Sequence, residues 1–158
     1  MTLHFAYGSN MSRALMRKHA PAAEPVGVAR LADYRFVITR DGYASVVQAK
    51  GETVHGVLWR LTSRDVVTLD AWENVSAGLY RVATLPVRGP AGRAPALVYL
   101  ARSSEEGRPK QGYMELVIAA AREWGLPPDY ISSLKDWTPA KARGPRRLDL
   151  GDGPGDGA

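Results

Sequence analysis

The stretch Phe5-Ala6-Tyr7-Gly8-Ser9-Asn10 passes from a strand to a turn within six residues. Apolar residues alternate with smaller or polar ones up to Tyr7, which predicts a short β-strand, and a helical pattern begins at Met11. A small-residue turn at a helix entrance presents several backbone N–H groups, which can cradle a carboxylate or an oxyanion. An ordinary strand-to-helix turn, with Asn10 or Ser12 as the helix N-cap, fits the same residues equally well.

The sequence on both sides of this turn predicts a sheet of short strands. The predicted strands cover residues 3–7, 26–38, 44–47, 54–61, 79–87 and 96–100. Asp41-Gly42 is a strong hairpin signal, and Lys50-Gly51-Glu52 predicts a second turn, so that the chain between 26 and 61 forms a three-strand meander. Six strands joined mostly by hairpins and interrupted by helices predict an α+β fold, a small and mostly antiparallel β-barrel with flanking helices.

Four helices are expected beside the sheet. The first covers residues 11–19, and Thr62-Ser63-Arg64-Asp65 resembles a capping box that opens a second helix from Ser63 to Trp72. Pro109 opens a longer third helix, which Gly125 caps. The fourth is expected from Tyr130 to Trp137.

The chain is predicted to be one domain at residues 1–138 with a C-terminal tail at 139–158. This tail is rich in Gly, Pro, Arg and Asp, which predicts disorder. Its basic run at 141–147 has no interleaved aromatic residues, so a solvated tail is favoured over a nucleic-acid contact. Neither an export signal nor a membrane span is evident, and we therefore expect a cytoplasmic protein with no membrane partner.

Several classes of chemistry lack a sequence basis. The chain has no cysteine, which excludes disulfides, thiolate nucleophiles and cysteine-ligated metals. His4, His19 and His55 share no metal-ligand spacing, so no metal site is expected. Ser9 is followed by Asn rather than by the glycine of a nucleophile elbow, and the Gly8 turn lacks the lysine of a phosphate loop.

Glu73 is a candidate acid/base. It ends an apolar helical stripe directly after Trp72, where the chain passes from core to turn. A carboxylate at such a place can be partly desolvated, which raises its pKa toward the range that suits a general acid/base at neutral pH. A solvated charge at the helix end is the simpler interpretation of the spacing, and Asp70 carries the same two interpretations.

Four motifs occur in the order seen in γ-glutamylcyclotransferases, and the sequence resembles this family from about Leu3 to Trp137. The motifs are Phe5-Ala-Tyr-Gly-Ser-Asn10, His55-Gly-Val-Leu-Trp-Arg60, Leu69-Asp-Ala-Trp-Glu73 and Gly78-Leu-Tyr80. Asn10 separates the chain from the glutathione-specific branch, whose corresponding loop typically has Leu there. The resemblance is to the AIG2-like, or γ-glutamylamine cyclotransferase-type, branch.

The resemblance implies an enzyme that converts a γ-glutamyl amine, amino acid or peptide to 5-oxoproline and a free amine, without a cofactor. It implies that the Tyr7-Gly8-Ser9-Asn10 loop grips the γ-glutamyl group and that Glu73 is the acid/base. Tyr80 and Tyr113 match family positions near the substrate, although both could equally be core aromatics. A non-catalytic γ-glutamyl or amino-acid binding protein on the same fold is the alternative, and a homodimer is left open.

Overall fold

A computed structural model describes residues 1–138 of the 158-residue chain. The expected disorder of the tail at 139–158 therefore lies outside the described residues. Within the described part, five strands close into a barrel in the order β1-β3-β2-β4-β5. The strands are β1 (Thr2–Ala6), β2 (Glu24–Ile38), β3 (Ala44–Leu61), β4 (Tyr80–Gly89) and β5 (Gly92–Ala101).

All neighbouring strands pair antiparallel except β1 and β5, which run parallel and meet at His4 and Leu97. This closure confirms the expected α+β fold with a small, mostly antiparallel barrel. Because β1 is held between β3 and β5, the turn that follows it is fixed at one end of the barrel.

The predicted three-strand meander is wrong, because residues 44–61 form one long strand. The register against β2 jumps here, from Thr53 opposite Ala32 to Gln48 opposite Tyr34, so the intervening residues form a bulge. The Gly51 N–H donates to Asp33 Oδ1 at 2.9 Å, and both residues have positive φ. The turn signal at Gly51 therefore marks a bulge, and the described residues contain five strands instead of six.

Four α-helices flank the barrel within residues 1–138. They are α1 (Arg13–His19), α2 (Ser63–Trp72), α3 (Tyr113–Glu123) and α4 (Pro128–Lys135). The predicted bounds of α2 and its Thr62–Asp65 capping box are confirmed. The third helix begins four residues later than expected, because Lys110 N–H bonds to the Gly42 carbonyl and Gly112 adopts positive φ before the first helical turn.

Buried apolar side chains from all five strands fill the barrel, and α2 and α3 add Leu69 and Val117 to the same core. Within the described residues, no helix is long and apolar enough to cross a bilayer.

Candidate active site

Glu73 lies at the C-cap of α2, and its residue surface is only 6% exposed. Its N–H bonds to the Leu69 carbonyl at 2.8 Å, and Leu69 is fully buried, so the end of α2 is anchored in the core. This placement excludes the simpler interpretation of Glu73 as a solvated helix-end charge. Asp70, one turn earlier, is half-buried.

The turn after β1 forms a short 3-10 helix at Ser9–Met11, and Ser12 then caps α1 by accepting a hydrogen bond from the Leu15 N–H at 3.2 Å. The Trp124 indole N–H donates to the Met11 carbonyl at 2.7 Å and ties this turn to the end of α3.

Gly8 has a φ of −119°, so it does not occupy the left-handed region. Instead, other residues of the protein pack closely against the backbone of Gly8. A Cβ at this position would lie 2.9 Å from the Tyr113 hydroxyl oxygen and 3.3 Å from the Ala44 Cβ. A side chain at position 8 would therefore push the loop away from Tyr113.

Asn10 joins this loop to α2. Its Nδ2 donates to Glu73 Oε2 at 2.9 Å, in a buried hydrogen bond between residues 63 positions apart in the chain. The carboxylate fixes the orientation of the amide, because an ionised carboxylate can only accept. Asn10 Oδ1 is consequently a buried acceptor, and it has no hydrogen-bond partner among the described residues.

Burial raises the pKa of Glu73 to about 7, from an ordinary value of 4.5. The Asn10 hydrogen bond opposes this rise because it stabilises the carboxylate, and the nearby Asp70 charge reinforces it. A carboxyl group with such a pKa is present in both protonation states at neutral pH, so it can accept a proton in one step and return it in a later step.

Several tyrosine residues line the same cavity as this carboxyl group. The Tyr7 hydroxyl donates to the Tyr99 carbonyl, and the Tyr80 hydroxyl donates to the Ala44 carbonyl at 2.6 Å. Tyr113 accepts from the Ala44 N–H at 3.3 Å. Burial raises the pKa of Tyr7, Tyr80 and Tyr113, so these hydroxyls stay protonated and polar while remaining uncharged.

His4 and Tyr99 extend this network away from the loop. The His4 ring stands edge to face against Tyr99, and the Tyr99 hydroxyl donates to Asp70 Oδ1 at 2.6 Å. His4 Nδ1–H donates to the Leu97 carbonyl at 3.2 Å, which leaves Nε2 as a buried acceptor with no partner in the described part of the chain. Burial lowers the pKa of His4 to about 4, so the ring is neutral at neutral pH.

All seven residues predicted for the site line one cavity, together with five that were not predicted. The predicted residues are Tyr7, Gly8, Ser9, Asn10, Glu73, Tyr80 and Tyr113; the others are His4, Phe5, Ala6, Ala44 and Tyr99. The cavity holds about 310 Å³ of empty space, part of it open to solvent. Tyr80 and Tyr113 are thus both buried aromatics and cavity walls, so the two interpretations of them do not exclude each other.

The other two histidines lie apart from this cavity. His19 stacks on Trp72 with ring centroids 3.8 Å apart, and His55 stands edge to face against Tyr130. Among residues 1–138, no group of three or more His, Asp or Glu side chains is arranged to hold a metal ion.

Comparison with known proteins places these features in a family. The model of the AIG2-like family matches residues 53–134. γ-Glutamylcyclotransferase of Mus musculus is 31% identical over 153 residues, which cover 90% of this chain and 81% of the mouse protein. That of Homo sapiens is 31% identical over 144 residues, or 84% of this chain and 77% of the human protein. A solved structure of a γ-glutamyl cyclotransferase has a TM-score of 0.82 at 29% identity and covers 91% of this chain and 92% of its own. The chain therefore belongs to the γ-glutamylcyclotransferase-like, or AIG2-like, family.

Proposed function

We propose that this protein cyclises the γ-glutamyl group of a γ-glutamyl amine, amino acid or peptide, forming 5-oxoproline and releasing the attached amine. The observation that carries the proposal is the buried Glu73 carboxyl group, with a pKa near 7, held by Asn10 beside the Gly8 turn. The names of the mouse and human relatives support the same class of reaction.

The substrate's own α-amine is the nucleophile. At neutral pH it arrives as an ammonium group, which carries three N–H donors and one positive charge. The cavity offers complementary groups in the Glu73 carboxylate and the partnerless Asn10 Oδ1. Binding the ammonium group here would give both acceptors a donor in a site shielded from water.

Glu73 would then accept one proton from the ammonium group, and the free amine would attack the γ-carbonyl carbon. A five-membered ring forms through a tetrahedral intermediate that carries an oxyanion. The C–N bond to the leaving group breaks as protonated Glu73 returns its proton to that nitrogen. The ring nitrogen still carries two protons after the attack; it loses one of them through Glu73, and this proton leaves with the released amine, which departs as an ammonium ion. Because nucleophile and electrophile belong to one molecule, the protein mainly has to fold the glutamyl chain and stabilise the oxyanion.

Backbone N–H groups of the Gly8–Asn10 turn and the Tyr113 hydroxyl, which accepts from the Ala44 N–H, are the candidate donors to the anionic parts of the substrate. These are its α-carboxylate and the developing oxyanion, and either could occupy the turn. The Tyr7 and Tyr80 hydroxyls already donate their protons to backbone carbonyls. No step needs a metal ion or an organic cofactor, since proton transfer and charge stabilisation account for the whole reaction.

The test follows 5-oxoproline and glutamate separately, with γ-glutamyl-alanine, ε-(γ-glutamyl)-lysine and glutathione as substrates. We expect 5-oxoproline from at least one of them. In Glu73→Gln, the rate should fall by about 10³- to 10⁴-fold, because one residue serves both proton transfers. The matched control is Glu115→Gln, which removes an exposed carboxylate on α3 and should retain the wild-type rate.

Calorimetry on the inactive variant separates catalysis from binding. Glu73→Gln should still bind substrate through the Gly8 turn. Release of glutamate by the wild-type protein would indicate a hydrolase, and binding without any product would indicate the non-catalytic γ-glutamyl binding protein. Near wild-type production of 5-oxoproline by Glu73→Gln would contradict the role given to that residue.

A further inference from the structure

A row of basic side chains crosses the barrel away from the Glu73 cavity. In the register of the sheet, His55 on β3 is opposite Arg30 on β2, Arg30 is opposite Arg88 on β4, and Arg88 is opposite Arg93 on β5. Directly paired residues point to the same side of a sheet. Four neighbouring strands thus contribute one basic residue each to a continuous row, which we call the arginine row.

The arginine row lacks compensating charge. Arg30, Arg88 and Arg93 are exposed, and the ion pairs found among residues 1–138 involve other arginines, namely Arg35, Arg40 and Arg60. Like charges directly opposite each other destabilise a sheet. Burial, together with the charge of the neighbouring Arg30, lowers the pKa of His55. A bound anion would offset this repulsion.

Two surface concavities meet at this row, with Arg30 and Arg88 lining both. The larger holds about 1050 Å³ of open space and the smaller about 660 Å³. Neither shares a lining residue with the Glu73 cavity. Among the described residues that line them, Asp33 is the only acidic one, and its Oδ1 already accepts the Gly51 N–H.

The wall of the larger concavity is apolar. Val28 is 44% exposed there, and Pro90, Leu126 and Pro127 complete that wall. The described residues that line it include no Phe, Tyr or Trp side chain, and the ring of His55 already packs edge to face against Tyr130. This concavity is therefore poor in surfaces on which a nucleobase could stack. Apolar side chains next to the arginine row fit an organic anion better than a nucleic-acid strand.

The length of the row sets the charge of the ligand. Adjacent strands lie about 4.8 Å apart, so the three strands that carry the arginines span about 10 Å. A single phosphate or carboxylate covers one or two arginines, whereas a molecule with several such groups could engage all three with bidentate contacts. We propose that the arginine row binds a small organic polyanion, one that carries two or more phosphate or carboxylate groups on an apolar body.

The experiment titrates the full-length protein with inorganic tripolyphosphate, citrate and ATP by calorimetry at low salt. Tripolyphosphate against citrate distinguishes phosphate from carboxylate, and ATP against tripolyphosphate tests the contribution of an organic body. We expect binding of at least one probe, weakened at least tenfold by Arg30→Gln and by Arg88→Gln. Arg81→Gln is the matched control, since it removes an exposed arginine from the far end of the same strand, β4, and should bind as the wild type does.

Thermal unfolding gives a second readout that does not depend on catalysis. Without ligand, Arg30→Gln and Arg88→Gln should unfold at or above the wild-type Tm, because each relieves like-charge contact. With ligand, only the wild type and Arg81→Gln should gain stability. The proposal would be overturned if none of the probes bound, if the row variants bound as tightly as the control, or if a single-stranded oligonucleotide bound more tightly through the same arginines.

Discussion

At the scale of single residues, the burial that suits Glu73 to its proposed role also weakens the fold. The Glu73 carboxyl group is buried, so the charged form is disfavoured, and one hydrogen bond from Asn10 compensates only in part. The same desolvation gives the group a pKa of about 7, which lets one side chain act as both base and acid. Stability and proposed activity are therefore in conflict at this residue.

The first prediction is that Glu73→Gln makes the protein more stable at pH 8. The folded protein holds a proton on Glu73 between pH 4.5 and about 7, whereas the unfolded chain does not, so the contribution of Glu73 to stability falls as pH rises through this window. Since one pKa unit corresponds to about 1.4 kcal/mol, the loss is about 3 kcal/mol above pH 7. Glutamine avoids it because it never ionises.

Urea unfolding of ligand-free protein at pH 4.5 and pH 8 measures this effect. The variant should gain about 3 kcal/mol over the wild type at pH 8 and almost nothing at pH 4.5. Glu115→Gln should show no comparable gain at either pH. Equal stabilities of Glu73→Gln and the wild type at pH 8 would mean that Glu73 is not desolvated in solution.

The second prediction concerns the pH dependence of the rate. Because the proposed reaction begins with ionised Glu73, kcat/KM should rise with pH through about 7. Asn10→Ala removes the hydrogen bond that favours the carboxylate, so the rise should move to higher pH. The loss of a hydrogen bond to a charged group should also lower kcat/KM by roughly tenfold to a hundredfold.

The control for this profile is Gln111→Ala, which removes an exposed amide outside the cavity and should leave both the midpoint and the rate unchanged. A reduced rate with an unmoved midpoint would show that Asn10 acts on substrate binding alone and does not tune Glu73.

The predictability of the cavity from sequence differed between residues. The ordered motifs indicated Glu73 and the Gly8 turn before the structure placed them together, because those motifs are short and local. No sequence pattern indicates that His4 is buried beside the cavity, as the structure has it. Tyr99 falls within a predicted strand, and no sequence pattern connects it to Asp70. Both depend on how β5 closes on β1, which local patterns do not encode.

At the scale of elements, β1 has to hold the Gly8 turn in place, and Gly56 on β3 makes this possible. A Cβ on Gly56 would lie 2.2 Å from the Ala6 carbonyl oxygen and 2.9 Å from the Phe5 ring. The ring of Phe5 thus occupies the space that a side chain at position 56 would need. This contact fixes the last residues of β1 against β3, directly before the turn.

The third prediction is that Gly56→Ala destabilises the protein by about 3 kcal/mol or more, because a backbone oxygen cannot move aside as a flexible side chain can. Chemical unfolding measures the loss. Gly51→Ala on the same strand is the control, since its Cβ would meet nothing within 4 Å, although the φ of +85° adds strain of its own. That control should lose only about 1 kcal/mol. Equal losses in the two variants would show that the contact with β1 costs no more than the backbone strain of an ordinary positive-φ position such as Gly51.

Elements whose signals are local were predicted well, and those set by distant contacts were not. The α2 bounds followed from the Thr62–Asp65 capping box, in which side chains three residues apart satisfy each other. The start of α3 depends on a contact between Lys110 and Gly42. The bulge in β3 depends on Asp33, 18 residues before Gly51. Local propensity therefore predicts whether a segment is a helix or a strand more reliably than it predicts whether that segment is continuous or where it begins and ends.

At the scale of the whole molecule, the closed barrel indicates which part of the chain is needed for folding. β1 bonds to β5, so the sheet formed by residues 1–138 leaves no open edge for a further strand. The large buried side chains of this part already pack against one another, from Phe5 near the start to Leu134 on α4. These contacts make residues 1–138 a candidate for an independently folding unit.

The fourth prediction is that a chain ending at Thr138 unfolds cooperatively, with a Tm within a few degrees of the full-length protein, because the segment removed is poor in large apolar residues. Calorimetry on both chains measures this. The truncated chain should also keep its rate of 5-oxoproline formation, since every residue lining the Glu73 cavity lies before position 114. Loss of a cooperative transition would show that residues 139–158 complete the core. A normal transition with lost activity would instead assign the tail a role at the cavity, and either result would move the domain boundary beyond residue 138.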